Sequence, residues 1–457
     1  MADLASIVLA AGEGKRMKSR RPKPLQPVCG KPMLAHVLDA LAPLGPDPQV
    51  MIVGVGAEEV RPAFADRPLT WVTQEQQLGT GHAADCAREA LAGFTGDVLV
   101  TCADIPLVRT ETWQRVLAEH RAQGAAGTIV TALFDDPTGY GRVIRDASGA
   151  VQRIVEEPDC DDLTRAMPEG NVSVYCFSAP ALLGALSELQ PNNEQGEYYL
   201  TDVVGVLVAQ GRKVIPVIAE DPEEVLGIND RVQLARAERI ARDRVRRRLM
   251  LEGVTLLDPD TTYIDQDVSI GRDTVVWPGA HILGATEIGE GCVIGDHVLI
   301  ENCRLGEGTT VKHCSVVHDS RVGRDVEIGP CAHVRDQSTL EDHVRVGTSS
   351  EVKRSRLGEG VCDLHFSYVG DATVGAGANI GAGVITCNYD GVDKHPTIIE
   401  DGAFIGSDAA LVAPVTIGKG AYVGAGSVIT KNVPPGALAL GRARQENREG
   451  WVEKHRR

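Results

Sequence analysis

No apolar run in the 457 residues approaches 18, so the sequence holds no candidate membrane-spanning helix. The basic-then-apolar order of a secretory signal is also missing, since Glu13 and the basic residues come after the apolar run ASIVLA. Aromatic residues make up only 4%, which leaves no evident stacking platform for single-stranded nucleic acid. Positive charge is in deficit. With 46 Lys and Arg against 63 Asp and Glu, the formal net charge is -17. That excludes general binding to nucleic acid or to an anionic membrane, while permitting a local basic pocket. The 11 cysteines include no C-x-x-C, and their odd number and scattered spacing point to free thiols in a reducing compartment. The expectation is a cytoplasmic protein with no membrane insertion and no nucleic-acid partner.

Glycine, by contrast, is abundant at 50 residues and concentrated in the second half. Residues 1–230 read as alternating strands and helices. The runs LASIVLA, QVMIVGV, DVLVTCAD and GTIVTAL have the compact apolar character of strands buried on both faces. Helical stretches are expected near 32–42, 80–92 and 110–122, and the alternation implies an open, mostly parallel sheet. YGRVIRDASGAVQRIVEE reads instead as a hairpin insertion about a Ser-Gly turn. Residues 231–251 form an expected linker helix, dense in Arg, Ala and Leu, with Ile240, Val245 and Leu249 on a narrow apolar side.

Within residues 252–457, the expected second domain with a C-terminal tail, the period changes from Tyr263 onward. Ile264, Ile270, Val276, Ile282, Ile288, Ile294 and Ile300 recur every six residues, and after small shifts the series continues to Val352. It resumes from Ile399 to Ile429. A helix would repeat near 3.6 and an ordinary strand at two. Three six-residue steps make one triangular turn of a parallel β-helix, with the aliphatic residue inside and glycine at a tight corner. The interval TCNYDGVDKHPT, residues 386–397, breaks the rhythm and is expected to project as a loop.

The segment LAAGEGKRMKSRRPKPL, residues 9–25, follows the first strand, at the end where open α/β sheets bind ligands. It matches neither the Walker A loop nor the dinucleotide fingerprint. A glycine-rich turn offers backbone N–H groups to phosphate oxygens, and Arg16 and Lys23 add charge, whereas Lys18, Arg20 and Arg21 read as solvent-facing neighbours. Asp104 closes another strand in TCADIPL.

The pattern L-A-A-G-x-G-x-R-M followed by P-K-P-L, with QLGTGHA, ADIPL, GYGRV, IVEE, GEYYLTD and the Asn of GIND, resembles a sugar-phosphate nucleotidyltransferase. The second half, through HVRDQSTL, HFSYVGD, GAGVITCNYDG, IGSDAALVAPV and GRA, resembles the acetyltransferase domain of the bacterial bifunctional N-acetylglucosamine-1-phosphate uridyltransferase / glucosamine-1-phosphate acetyltransferase family. The resemblance implies a left-handed β-helix of hexapeptide repeats and a homotrimer. It also implies acetyl transfer from acetyl-CoA to glucosamine 1-phosphate, then uridylyl transfer from UTP to N-acetylglucosamine 1-phosphate.

By resemblance, Arg16 and Lys23 hold the triphosphate, Leu9, Ala10, Ala11 and Gly12 meet the nucleotide, and Gln74, Gly79 and Thr80 meet the uracil end. Gly141, Glu156, Asn171 and Asn229 contact the product sugar nucleotide, and Asp104 with Asn229 binds Mg2+. His365 is the implied acid/base for acetyl transfer, because an attacking amine must lose a proton and histidine can accept one near neutral pH. Arg335, Lys353, Tyr368, Asn379 and Lys394 are the implied glucosamine-phosphate contacts. Ala382, Asn388, Tyr389, Ser407, Ala425 and Arg442 are those for acetyl-CoA. Three departures from the family pattern stand out. Ala103 replaces an expected glycine, Thr348 an expected asparagine, and Cys362-Asp363-Leu364 an expected Lys-Ala-Gly. These keep open an alternative in which the β-helix is structural or regulatory and only nucleotidyl transfer occurs. A non-enzymatic scaffold is the remaining reading, with LAAGEGKRM, Asp104 and Asn229 against it.

Overall fold

Burial of the strand Leu4–Ala10 at all seven positions follows from its central place in a sheet covered on both faces. The computed structural model describes residues 3–456. The chain divides into two compact units, Met1–Ala241 and Arg242–Arg457, and the division falls within the helix Arg231–Leu251. On that helix Ile240, Val245 and Leu249 are buried, as the apolar side expected from the sequence, together with Ala237, Ala241 and Arg246.

In the first unit the sheet runs Val214–Ile218, Gly127–Leu133, Glu169–Ser178, Asp97–Cys102, Leu4–Ala10, Gln49–Val53, Thr70–Thr73. Pairing is parallel except around Glu169–Ser178, which is antiparallel to both its neighbours. Alternate residues of the central strands feed two cores, Ile7 and Ile52 on one face, Val8 and Met51 on the other. The expected helices are present as Met33–Leu41, Thr80–Asp85 and Thr110–Gln123, the second continuing only as a 3-10 turn, Cys86–Arg88. The hairpin pairs Gly141–Arg145 with Val151–Val155, and Asp146 closes its turn by accepting from the amides of Ser148 and Ala150. Register sets Leu9 beside Cys102, so the segments that follow the two strands emerge side by side.

The second unit is a three-sided parallel β-helix. Among the described residues its faces hold 11, 10 and 9 strands, running from Thr255–Leu256 to Leu438–Ala439, Tyr263–Ile264 to Val428–Ile429, and Ser269–Ile270 to Val415–Ile417. Equivalent residues stack one coil apart, as Ile264, Ile282 and Ile300 do. Every hexad aliphatic predicted from the sequence is buried, so each coil is closed by its neighbours. Gly271 shows why corners favour glycine, since a methyl group there would lie 2.6 Å from the Glu290 amide nitrogen. Between Leu357 and Ile399 two inward positions are polar, Asp363 and Thr386, both buried. The loop after Cys387 leaves the coil and returns at Thr397–Ile399, as the broken rhythm predicts.

Candidate functional site

In the first unit, Leu9, Ala10, Ala11 and Gly12 line a cavity of about 560 Å³ at the carboxyl ends of the central strands. Across from them stand Gln74, Gly79 and Thr80 on the turn into the helix Thr80–Asp85. Tertiary bonds hold that turn. The Gly81 amide donates to Tyr198 O at 2.7 Å, Thr80 Oγ1 accepts from the Leu200 amide at 3.0 Å, and Gln74 Nε2 donates to Gly79 O at 3.1 Å. Gly79 has φ +108, and a methyl group there would sit 2.5 Å from Tyr198 O, so the QLGTG turn and GEYYLTD are locked together.

The charged wall is built from three distant segments. Lys23 Nζ donates to Asp104 Oδ2 and, at 2.9 Å, to Asn229 Oδ1. Asp104 and Asn229 are brought together by the backbone, since the Ile228 amide donates to Asp104 O at 2.9 Å. Two oxygen donors already converging on one cationic group suit a hard divalent cation. Among the described residues no cluster of three His, Cys, Asp or Glu side chains could hold a metal alone. An ion here would draw its remaining ligands from substrate phosphates and water, the usual habit of Mg2+.

Gly141, Glu156 and Asn171 form a second group. Asn171 pairs in register with Gly141, where a methyl group would come 3.3 Å from a Glu156 carboxylate oxygen. Burial raises Glu156 above the ordinary carboxylate range, although Thr201 Oγ1 donates to it at 2.9 Å. Cys102, which lines the cavity, links the groups: burial raises its thiol, and the charges of Asp104 and Glu156 raise it further. Arg16 does not line the cavity. It is exposed on the adjoining turn Lys15–Met17, as Lys18, Arg20 and Arg21 are beyond it.

On the β-helix, Arg335 and Lys353 lie on the second face, and Lys394 comes near Lys353 and Arg354 from the loop after Cys387. Arg335 binds Glu351 Oε1 through Nη2 at 2.7 Å and Asp336 at 3.1 Å, while Lys353 Nζ lies 3.7 Å from Asp336. The neighbouring Lys353 and Arg354 cations hold Lys394 below the usual lysine value. Such crowding of like charge suits an anionic ligand. Asn388 reaches this cluster, its Nδ2 2.5 Å from Asp371 Oδ2 and 3.4 Å from the Tyr368 hydroxyl.

His365 is exposed at the adjacent corner. Coil-to-coil bonds define a column of equivalent positions: Gly383 N to His365 O at 3.2 Å, Asp408 N to Ala382 O at 2.7 Å, and Gly426 N to Ser407 O at 2.8 Å. Arg442 Nη1 closes it on Ala425 O at 2.9 Å. His365, Ala382, Ser407 and Ala425 therefore stack at one corner, and three coils at roughly 4.8 Å span about 14 Å. Asn379 lies on the neighbouring face beside Cys362, and Tyr389 is exposed in the loop.

The MobA-like NTP transferase domain family matches residues 6–202, the GMPPB C-terminal domain family residues 260–359, and the bacterial transferase hexapeptide family residues 396–431. Over the full length, the chain is 50% identical to the bifunctional protein GlmU of Geobacillus sp. (strain WCH70), across 98% of this chain and 97% of the relative. It is 50% identical to GlmU of Geobacillus thermodenitrificans across 99% and 98%, and 46% identical to GlmU of Trichlorobacter lovleyi across 100% and 99%. The chain belongs to the GlmU family. It is a bifunctional acetyltransferase and uridylyltransferase whose two halves carry the two folds.

The three departures from the GlmU pattern have definite places. Ala103 is buried, and its amide donates to Leu9 O at 2.9 Å, so the methyl group is accommodated in the cavity wall. Thr348 sits in register with His365, one coil below it at the same corner. Cys362 faces outward beside Arg345 Nη2 at 2.9 Å, while Asp363 points into the bore of the GlmU β-helix. Glu13, Lys15, Gln77 and Glu197, to which no motif assigns a role, also line the cavity. Lys15 and Glu13 form a 2.5 Å ion pair. The signal for Glu197 was available in its motif, GEYYLTD. For Gln77, whose Nε2 donates to Ala11 O at 3.3 Å, only the fold supplies it.

Proposed function

We propose that residues 252–457, working as a homotrimer, acetylate glucosamine 1-phosphate from acetyl-CoA. Residues 1–230 then couple the product to UTP, giving UDP-N-acetylglucosamine and pyrophosphate, and residues 231–251 link the two. The convergence of Asp104 and Asn229 on the Lys23 ammonium, where Lys23 and Asp104 line the cavity shared with Gly12 and Gly79, carries the uridylyl-transfer reading.

In this reading the backbone of Leu9–Gly12 lies along the nucleotide, and the Gln74–Thr80 turn grips the uracil. Lys23 releases its two oxygen partners and turns to the phosphates, with Arg16 closing over them from its exposed turn. Asp104 and Asn229 would hold a Mg2+, which would supply positive charge to the phosphate oxygens. Glu156 and Asn171 hold the sugar so that its phosphate oxygen is aligned with the α-phosphorus, and pyrophosphate departs opposite. Alignment and electrostatics suffice without a protein nucleophile.

For acetyl transfer, Arg335, Lys353 and Lys394 take the sugar phosphate, with Tyr368 and Asn379 beside the ring. The amino group attacks the thioester carbonyl, His365 accepts its proton, and CoA leaves. The corner column of Ala382, Ser407, Ala425 and Arg442, with Tyr389 from the loop, receives the CoA arm. Asn388, placed among Tyr368 and Asp371, joins the sugar side of that cleft. The test is CoA release with glucosamine 1-phosphate. His365→Ala is expected to lower it about 10²- to 10⁴-fold while UDP-N-acetylglucosamine formation from N-acetylglucosamine 1-phosphate, UTP and Mg2+ stays intact. Absence of CoA release by the folded parent protein would overturn the acetyl-transfer reading.

A further inference from the structure

Between Asn171 and Tyr175 the pairing of Glu169–Ser178 with Gly127–Leu133 slips register, and Ser173 at the centre of the slip has φ 55. Left-handed backbone is unusual for a residue other than glycine, and a bulge of this kind redirects the side chains around it. On a regular strand, residues four apart stand about 13 Å from each other. Here Asn171 Nδ2 donates to the Tyr175 hydroxyl at 2.7 Å.

Both residues are enclosed, Asn171 at 4% and Tyr175 at 1% exposure, so Tyr175 itself cannot reach a ligand. Asn171 Oδ1 is buried with no partner in the protein. A buried acceptor without a donor is costly unless something supplies one. An amide has opposite ends: with its nitrogen committed to the phenol, Asn171 offers its oxygen; turned over, it would offer N–H groups instead. Burial raises the Tyr175 phenol, which keeps it neutral.

We propose that Tyr175 is a positioning residue that sets the Asn171 amide with its oxygen towards the acetamido N–H of N-acetylglucosamine 1-phosphate, biasing uridylyl transfer to the acetylated sugar. This rests on the assignment of Asn171 to the sugar.

The experiment measures kcat/KM for uridylyl transfer with N-acetylglucosamine 1-phosphate and with glucosamine 1-phosphate, acetyl-CoA omitted. It compares the parent, Tyr175→Phe, Asn171→Ala and the double variant. Tyr175→Phe removes one oxygen and keeps the ring that stacks on Phe177 at 5.6 Å, and its melting temperature and KM for UTP check the fold. The selectivity ratio is expected to fall about fivefold in Tyr175→Phe, the worth of one neutral hydrogen bond. It should fall further in Asn171→Ala, with no added loss in the double variant. A purely structural tyrosine would depress both sugars alike and would still act when Asn171 is gone. If Asn171→Ala lowers the ratio and Tyr175→Phe leaves it unchanged, Tyr175 has no such role. If Asn171→Ala also leaves it unchanged, the sugar assignment falls and takes the proposal with it.

Discussion

Replacing Asp363 by valine should stabilise the β-helix above pH 6 and leave it little changed near pH 4. The side chain points into the bore, stacked in register between Val346 and Ile380. Ser367 donates to one carboxylate oxygen, while the other is buried without a partner. Burial pushes the group up from 3.8 to about 6. Below pH 3.8 it is protonated in both folded and unfolded chains and contributes no pH dependence. Between 3.8 and 6 the unfolded chain releases its proton first, so stability falls as pH rises. Above 6 the loss is complete, at about 3 kcal/mol for a shift of roughly two units. Valine continues the aliphatic column and cannot ionise. The measurement is a urea series at pH 4 and pH 8, with pulsed thiol labelling of the buried Cys292 and Cys303 reporting unfolding of the β-helix. The variant's advantage over the parent should grow by about 2.5 kcal/mol between the two pH values. Parallel behaviour at both pH values would refute the reasoning, because Asp363 would then titrate as it does in the unfolded chain.

Asp104→Asn keeps the shape of the Lys23 partner but removes its charge; uridylyl transfer should drop at least about 100-fold and need more Mg2+, with CoA release unaffected. Retained activity at unchanged Mg2+ demand would remove Asp104 from the metal site. Gly79→Ala places a methyl group against Tyr198 O at a φ of +108, so the turn must shift. A raised KM for UTP and about 1–3 kcal/mol lower stability are expected, and wild-type values for both would mean the turn is not confined as described.

The β-helix was legible because its order is local: each aliphatic residue is covered by its equivalent about 18 positions away, so a six-residue period already encodes coil, face and interior. The alternating strands and helices of the first half were legible for a similar reason, each element announcing its own burial. Asp363 stands out in sequence as a departure, yet its inward direction follows from pairing with Val346 and Ile380, which no isolated tripeptide specifies. Arg16 stood out by motif, while the fold set Lys15 rather than Arg16 in the cavity wall.

Residue spacing thus carried the architecture, and motif resemblance nominated the chemical groups. Their convergence had to come from folding. Lys23 meets Asp104 from 81 positions away and Asn229 from 206, because register sets Leu9 beside Cys102 and the Ile228 amide bonds Asp104 O. The corner column joins His365 to Ala382, Ser407 and Ala425 at steps that the projecting loop makes unequal along the chain but uniform in space. Periodic burial is written between neighbours in sequence. A site is written between neighbours in space, and the backbone's hydrogen-bond register alone relates the two.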